Sequence, residues 1–404
     1  MERTEVVVTG MGVVSALGPD LVAFAEGLRA GRCGIRQLDL FELPGGRSDL
    51  VGQAEEPALP ELGAALPPRT SRPDRFGLRA ALSAVADAGL QPAQLADAAV
   101  VFGIGTGGAA ETEGYLRALL DDPSAPLPPA GVLVAHQPAA VTDLTARALS
   151  AWGPRSTVMT ACSSSAIALS QARDLITLGR CQVAIAGGAE GLCRLTCAGF
   201  SALRATSPDY CRPFDLDRKG LNLGEGAAVL VLESAEHARR RGARVYARLA
   251  GAGLSCDAHH MTAPHPEGAG ALRAMRAALR DAALPPTAVG YVNAHGTATP
   301  HNDAAESAAL RALLGAHADK VPVSSIKSMV GHTLGAAGAI EAVAAVLALV
   351  DGVLPPTVNL LHPDPAFGLD FICGAARAAR VQTVLSASFA FGGNNAVLIF
   401  TQPD

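Results

Sequence analysis

The chain has 404 residues, 49% of them hydrophobic and 17% charged, with a net charge of −5. Such a composition belongs to a globular, core-rich protein, long enough for two domains or one large pseudo-repeated unit, and not to a disordered one. With a pI near 6.1 and no basic run, the chain is not built to bind nucleic acid or an anionic membrane.

Eight cysteines (Cys33, Cys162, Cys181, Cys193, Cys197, Cys211, Cys256, Cys373) are scattered without disulfide-scaffold spacing. That pattern predicts a reducing, cytoplasmic setting. Glu2, Arg3 and Glu5 interrupt the N-terminus before any apolar stretch that would act as a signal. The greasiest stretch, Leu334 to Val350, carries Glu341 and many small residues, and reads as a buried helix rather than a membrane span. Only Lys219, Lys320 and Lys327 are lysines among 32 basic residues. In a chain that otherwise uses arginine, a retained lysine hints at a chemical reason.

In chain order, Glu5 to Val14 predicts a strand ending in the turn Thr9-Gly10-Met11-Gly12. Ala23 to Ala30 is a short helix. Leu38 to Pro67, rich in Pro, Gly and acidic residues, reads as a surface excursion. A helix over Arg75 to Ala88 leads to a strand at Ala98 to Gly103. The glycine-rich Gly103 to Gly108 lacks the ordered glycines and lysine of a phosphate loop, so a structural turn is the default. Asp121 to Pro129 is a loop and Ala139 to Leu149 a helix. A strand at Ser156 to Met159 then stops at Thr160-Ala161-Cys162-Ser163-Ser164-Ser165. Apolar residues at Ala166, Leu169, Ala172, Leu175 and Ile176 follow with helical spacing, and the serines read as N-caps. A strand at Val183 to Ala186 ends in Gly187-Gly188-Ala189-Glu190. Cys211-Arg212-Pro213-Phe214-Asp215 opens a polar loop, and Gly224-Glu225-Gly226 precedes the strand Ala228 to Leu232.

The second half rhymes with the first. The run from Leu78 to Leu90 resembles that from Leu272 to Leu284, and each leads to a strand and a glycine turn. The strand Val321 to Ser324 and helix Gly335 to Val350 match the unit around Cys162. Two such β/α copies predict mainly parallel strands, right-handed crossovers and a pseudo-twofold axis that turns equivalent strand ends toward one another. The predicted halves are 1–250, with Cys162, and 251–404, with His295 and His332.

Cys162 sits where strand hands over to helix. The unpaired N–H groups there favour a thiolate and also suit an oxygen that turns negative during acyl transfer. The bland alternative is a small core cysteine. His295 lies in Asn293-Ala294-His295-Gly296-Thr297, just past a strand. Lys327 and His332 lie in Lys327-Ser328-Met329-Val330-Gly331-His332. Zinc on Cys162, His295 and His332 lacks the usual short ligand spacing. His259, His260 and His265 read as a polar loop over the cleft, with metal binding as the lesser alternative. In the tail, Gly392 and Gly393 let the Phe391 backbone approach a ligand closely, so that an N–H there joins that of Cys162 as an oxyanion hole. The bland reading is a turn before the terminal strand Ala396 to Phe400.

Thr160-Ala161-Cys162-Ser163-Ser164-Ser165, the His295 turn, the Lys327–His332 turn and Phe391-Gly392-Gly393 occur in that order. With Arg212-Pro213-Phe214-Asp215 and Gly224-Glu225-Gly226, the chain resembles, over nearly its whole length, an elongating β-ketoacyl-[acyl carrier protein] synthase. The resemblance implies an α/β, thiolase-like fold of two pseudo-repeated halves in α-β-α-β-α layers. It implies that Cys162 takes an acyl group from a carrier-protein thioester. His295 and His332 would assist decarboxylation of malonyl-carrier protein and stabilise the enolate. Lys327 would support the histidines, Glu341 would be its ionic partner, and Phe391 would gate the site. The implied partners are acyl carrier protein and a second subunit, identical or related. No metal or redox cofactor is implied, because loss of CO2 drives the step.

Three departures stand out. Ala390 replaces the family's usual glycine, which predicts a stiffer gate. Gly107 and Gly108 stand where fatty-acid enzymes commonly carry a bulky pocket residue, which predicts room for a longer, stiffer or unsaturated chain, as in polyketide or aryl-polyene assembly. The loop Arg218 to Leu223 also differs. Two rivals remain. A thiolase needs a second cysteine, for which Cys373 is the candidate, and a chain-length-factor-like partner subunit would lack the nucleophile that Cys162 supplies.

Overall fold

The computed structural model describes residues 4–59, 70–124, 126 and 131–403. Parts of two expected loops, 60–67 and 125 with 127–129, lie outside the described residues, as do Glu2 and Arg3. Among the described residues, ten strands of three residues or more form the frame. They are β1 Val6–Val14, β2 Ala99–Ile104, β3 Arg155–Val158, β4 Val183–Glu190, β5 Gly226–Ser234, β6 Ala247–Cys256, β7 Tyr291–Asn293, β8 Pro322–Ser324, β9 Thr383–Phe389 and β10 Asn394–Thr401. The longer helices are α1 Leu21–Ala30, α2 Arg72–Ala88, α3 Ala109–Asp121, α4 Ala140–Leu149, α5 Ser164–Thr177, α6 Arg194–Ala202, α7 Ala269–Asp281, α8 Pro300–Leu314 and α9 Ala337–Asp351.

The strands form one continuous sheet. From one end it runs β3–β2–β4–β5–β1, then crosses to β6–β10–β9–β7–β8, with a two-residue strand, Asp370–Phe371, at the far edge. The pairing pattern repeats. β3–β2 and β2–β4 are parallel, while β4–β5 and β5–β1 are antiparallel. Likewise β8–β7 and β7–β9 are parallel, while β9–β10 and β10–β6 are antiparallel. The copies join through a short antiparallel contact of β1 with β6. The second copy begins at β6, so a division between residues 250 and 251 runs through that strand.

Alternation along the strands builds the layers. In β5, Ala228, Leu230 and Leu232 face the central core, while Ala227, Val229 and Val231 face an outer one. The central core holds α5 and α9 between the two halves of the sheet. One outer core packs α2 and α4, and the other packs α7 and α8. α9 is buried from Ala337 to Leu349, as its all-round apolar sequence demands. Leu334–Asp351 is the only helical stretch among the described residues long and apolar enough to cross a membrane, and 89% of it is buried inside the fold.

Two expectations need correction. The strands are mixed rather than mainly parallel, because β9 returns through the short 390–393 turn into β10, a connection only antiparallel neighbours accept. Glycines read as turns are also packing glycines. β1 runs straight through Thr9 to Gly12, with only an irregularity between Val8 and Gly10. A Cβ on Gly12 would stand 2.0 Å from the Ala80 carbonyl oxygen of α2. β4 likewise continues through Gly187 and Gly188 to Glu190, and a Cβ on Gly187 would stand 2.0 Å from the Ala228 carbonyl oxygen.

Candidate active site

Cys162 follows β3 in a 3-10 turn, Ala161–Ser163, that leads into α5. Ala161 holds φ +51°, a left-handed conformation that a non-glycine residue keeps only where its surroundings enforce it. The serines do not cap α5 as expected. Ser164 Oγ accepts from the Thr160 N–H at 2.9 Å and donates to the Ala161 carbonyl at 2.7 Å, bracing the turn. Ser165 Oγ accepts from the Ala339 N–H of α9 at 2.9 Å, tying the two central helices together.

His295 follows β7. Its own N–H and that of Gly296 donate to the two carboxylate oxygens of Glu306, each at 2.8 Å. Asp303, one turn earlier on α8, accepts from the Thr297 and Ala298 N–H groups. Burial pushes the Glu306 carboxyl up to about 7 and the Asp303 carboxyl up to about 6, although the backbone donors oppose the rise. Lys327 Nζ donates to the His295 carbonyl at 2.7 Å, meets His295 Nδ1 at 3.1 Å and pairs with Glu341. An ammonium group has no acceptor, so His295 Nδ1 accepts and the neutral ring carries its proton on Nε2.

The His332 ring stands edge-on to that of His295, with centroids 5.3 Å apart and planes at 86°. Its backbone is fixed on both sides: the N–H donates to the Asn222 carbonyl and its carbonyl accepts from the Gly224 N–H. His332 Nδ1 is buried with no hydrogen-bond partner among the described residues. Burial first, then the charge of Lys327, holds both imidazoles well below the usual histidine range. Both are therefore neutral near pH 7, and each offers a single N–H to a polarised oxygen.

Cys162, His295 and His332 line one cavity of about 500 Å³, together with Thr297, Thr299, Ala390 and Phe391. The Phe391 backbone N–H and the Lys327 charge both favour the Cys162 thiolate. Burial outweighs both and pushes the thiol up to about 12, with Glu190 and Glu341 adding to the rise. The lowering expected of a helix start does not survive this desolvation. The Gly392 N–H is taken by the Met261 carbonyl at 2.7 Å, so of that pair the Phe391 N–H is the one that favours the thiolate. Gly392 and Gly393 hold φ +81° and +76°, the freedom that this turn requires. The Phe391 ring stacks on Phe200 at 5.5 Å. Ala390 sits in extended backbone, φ −127°, where a methyl causes no strain.

Other expected residues fall elsewhere. Gly107 and Gly108 are not among the cavity's lining residues. A Cβ on either would strike the His136 or Ala135 carbonyl oxygen, at 2.6 and 2.4 Å, so close packing accounts for their size. His260, Thr262 and Pro264 do lie over the cleft. His260 Nδ1 accepts from the Thr262 and Ala263 N–H groups. Cys373 is exposed and does not line the cavity.

Both halves of one family match this chain. "Beta-ketoacyl synthase, N-terminal domain" covers residues 3–238 and "Beta-ketoacyl synthase, C-terminal domain" covers residues 246–361. The chain belongs to the beta-ketoacyl synthase family. It is 39% identical to the 3-oxoacyl-[acyl-carrier-protein] synthase 2 of Synechocystis sp., over 99% of this chain and 98% of that one. Among solved structures, the ishigamide ketosynthase/chain length factor matches with a TM-score of 0.94 at 37% identity, over 100% of both chains. A type II polyketide synthase acyl-carrier protein in complex with its ketosynthase bound to the hexaketide matches with a TM-score of 0.92 at 32% identity, over 100% of both chains. The beta-ketoacyl synthase fold here is thiolase-like, an α/β sheet of two related halves.

Sequence reasoning passed over Glu306 and Asp303. Their signal was present: two carboxylates three apart in the first turns of a helix that starts at Pro300, directly after the His295 turn. It read Glu190 only as the end of a glycine turn, whereas the carboxylate is buried at the end of β4.

Proposed function

We propose that this chain is a β-ketoacyl-[acyl carrier protein] synthase that extends fatty acyl or polyketide chains. Three steps follow from the residues. The Cys162 sulfur attacks an acyl thioester on the carrier protein, displaces the carrier's thiol and keeps the acyl group. Malonyl-carrier protein then enters the same cavity and loses CO2, and its thioester becomes an enolate. The N–H groups of His295 and His332 stabilise the developing enolate oxygen. The enolate carbon attacks the acyl carbonyl on Cys162, whose oxygen is received by the Cys162 and Phe391 N–H groups, and the Cys162 sulfur leaves. Lys327 and Glu341 hold His295 in its tautomer.

One observation carries this reading. A sulfur from the first half and two neutral imidazoles from the second share one cavity with Phe391. The halves, near 1–250 and 251–404, accordingly contribute nucleophile and imidazoles. Acyl carrier protein is the substrate-bearing partner, and a second subunit of the same family is the structural one. Eight free cysteines suit the reducing cytoplasm.

The test is turnover of acyl- and malonyl-carrier protein by the purified chain, with its partner subunit if it has one. Cys162→Ala gains no acyl mass and yields no condensation product. His332→Ala acylates but releases CO2 about 10²–10⁴-fold more slowly. A Cys162→Ala chain that still condensed would sink the assignment.

A further inference from the structure

Glu190 closes β4, and its carboxylate is wholly buried. Its Oε1 accepts from the Thr106 N–H at 3.0 Å and the Thr106 hydroxyl at 2.6 Å. Its Oε2 accepts from the Gly335 N–H at 2.9 Å, and Gly105 packs on the same carboxylate, where a Cβ would stand 2.2 Å from an oxygen. Thus one side chain of the first half holds the turn after β2 and also the 3-10 turn Leu334–Ala336 of the second half. That turn begins two residues after His332 and packs on the turn carrying Cys162.

The crossing explains why a carboxylate is needed. A Cβ on Gly335 would stand 2.4 Å from the Gly105 nitrogen, so the two backbones touch and exclude water. Gly335 lies in the first turn leading into α9, where N–H groups have no intrahelical acceptor. Buried N–H groups left unpaired are costly. The two oxygens accept from the Thr106 and Gly335 N–H groups and the Thr106 hydroxyl; burial pushes the Glu190 carboxyl up, and these donors oppose the rise.

Resting on the ketosynthase reading, we propose that Glu190 is a positioning residue: it sets His332 of the second half against Cys162 of the first. It touches no substrate. Its contribution is the relative placement of groups that reach the cavity from different halves, where a displacement of about 1 Å costs about 100-fold in rate. Lys327 and Glu341, themselves a buried ion pair, also act on Cys162 with opposite signs, the lowering by Lys327 being the larger. His295 and His332 are uncharged.

The charge gives a readout that loosened structure does not. Burial pushes the Cys162 thiol up, and the Glu190 anion adds to that. Glu190→Gln removes the anion and turns an N–H2 group toward backbone donors. Alkylation of Cys162 by iodoacetamide, followed at the Cys162 peptide across pH 7–9.5, then speeds up about threefold to tenfold, since one pKa unit is a tenfold change in thiolate. CO2 release from malonyl-carrier protein falls about 10- to 100-fold. Glu190→Asp keeps the charge but shortens the reach to Gly335. It alkylates like the wild type and releases CO2 at a rate between wild type and Glu190→Gln. If Glu190→Gln does not fold, the aspartate variant decides, and undiminished CO2 release there overturns the proposal. Slower alkylation in Glu190→Gln also overturns it. A wild-type chain unable to release CO2 would sink the ketosynthase reading, while the alkylation arm, which needs no carrier substrate, still reads the role of Glu190.

Discussion

All three ammonium protons of Lys327 have partners inside the site: the His295 carbonyl, His295 Nδ1 and Glu341. Lys327 and Glu341 are each about 2% exposed. Removing one partner of such a buried pair leaves the other charge stranded, at a cost of about 3–5 kcal/mol. Lys327→Met should therefore lose about that much stability in urea unfolding. It also frees His295 Nδ1 and removes the nearby cation, so the His295 imidazole rises toward its ordinary range and its tautomer is no longer fixed. CO2 release should fall about 10²-fold or more. Lys327→Met combined with Glu341→Leu recovers most of the stability, because an apolar pair of similar size is often neutral, but recovers no activity. A double variant as unstable as the single one would show that the pair itself is not what Lys327 holds together.

At the scale of strands and helices, glycine has two uses that a sequence does not separate. Gly10, Gly12, Gly187 and Gly188 look like turn residues, yet each lies inside a strand where a neighbouring backbone comes too close for a Cβ. Gly12→Ala should therefore destabilise the fold by about 1–3 kcal/mol, the cost of overpacking, as a lower urea midpoint with unchanged slope. A neutral Gly12→Ala would mean that α2 can back away from β1. Periodic elements were legible: α5, α9 and β5 announce themselves by apolar spacing, and the repeat that brings Cys162 near His295 and His332 showed in the matching helix–strand–turn runs. What stayed hidden depends on distant pairing. The direction of β5 and β10, the carboxylates of Glu190 and Glu306 under other elements' N–H groups, and the packing of Gly107 on the 135–136 turn leave no periodic trace. The Cys162 thiol was read from its helix start alone, and burial, a property of the whole fold, reversed the sign.

For the molecule as a whole, burial of thiols sets an alkaline limit. Cys162, Cys197 and Cys211 are each pushed up to about 12, above the value near 8.5 expected of an unfolded thiol. The folded state then holds these protons more tightly than the unfolded one. The stability they confer is complete below about pH 8.5 and is lost as pH rises toward 12. The melting temperature should fall steadily between pH 9 and 11, and replacing Cys197 and Cys211 by alanine should flatten that slope. The edge of the sheet makes a second demand. β3 ends the hydrogen-bonded order and is flanked by Trp152 and Met159, 70% and 54% exposed. An open edge strand bordered by large apolar side chains is a template for another strand. A second copy, or a related subunit, pairing there would cover both side chains. It would also extend the sheet across a twofold axis with Cys162, just past β3, close to the junction. Sedimentation should give about twice the 40.9 kDa chain mass, or a one-to-one complex with the partner subunit. Trp152→Glu with Met159→Glu should halve that mass by placing charge against charge across the axis. If that double variant keeps the full assembly mass, the subunits meet elsewhere and the β3 edge is covered by some other means.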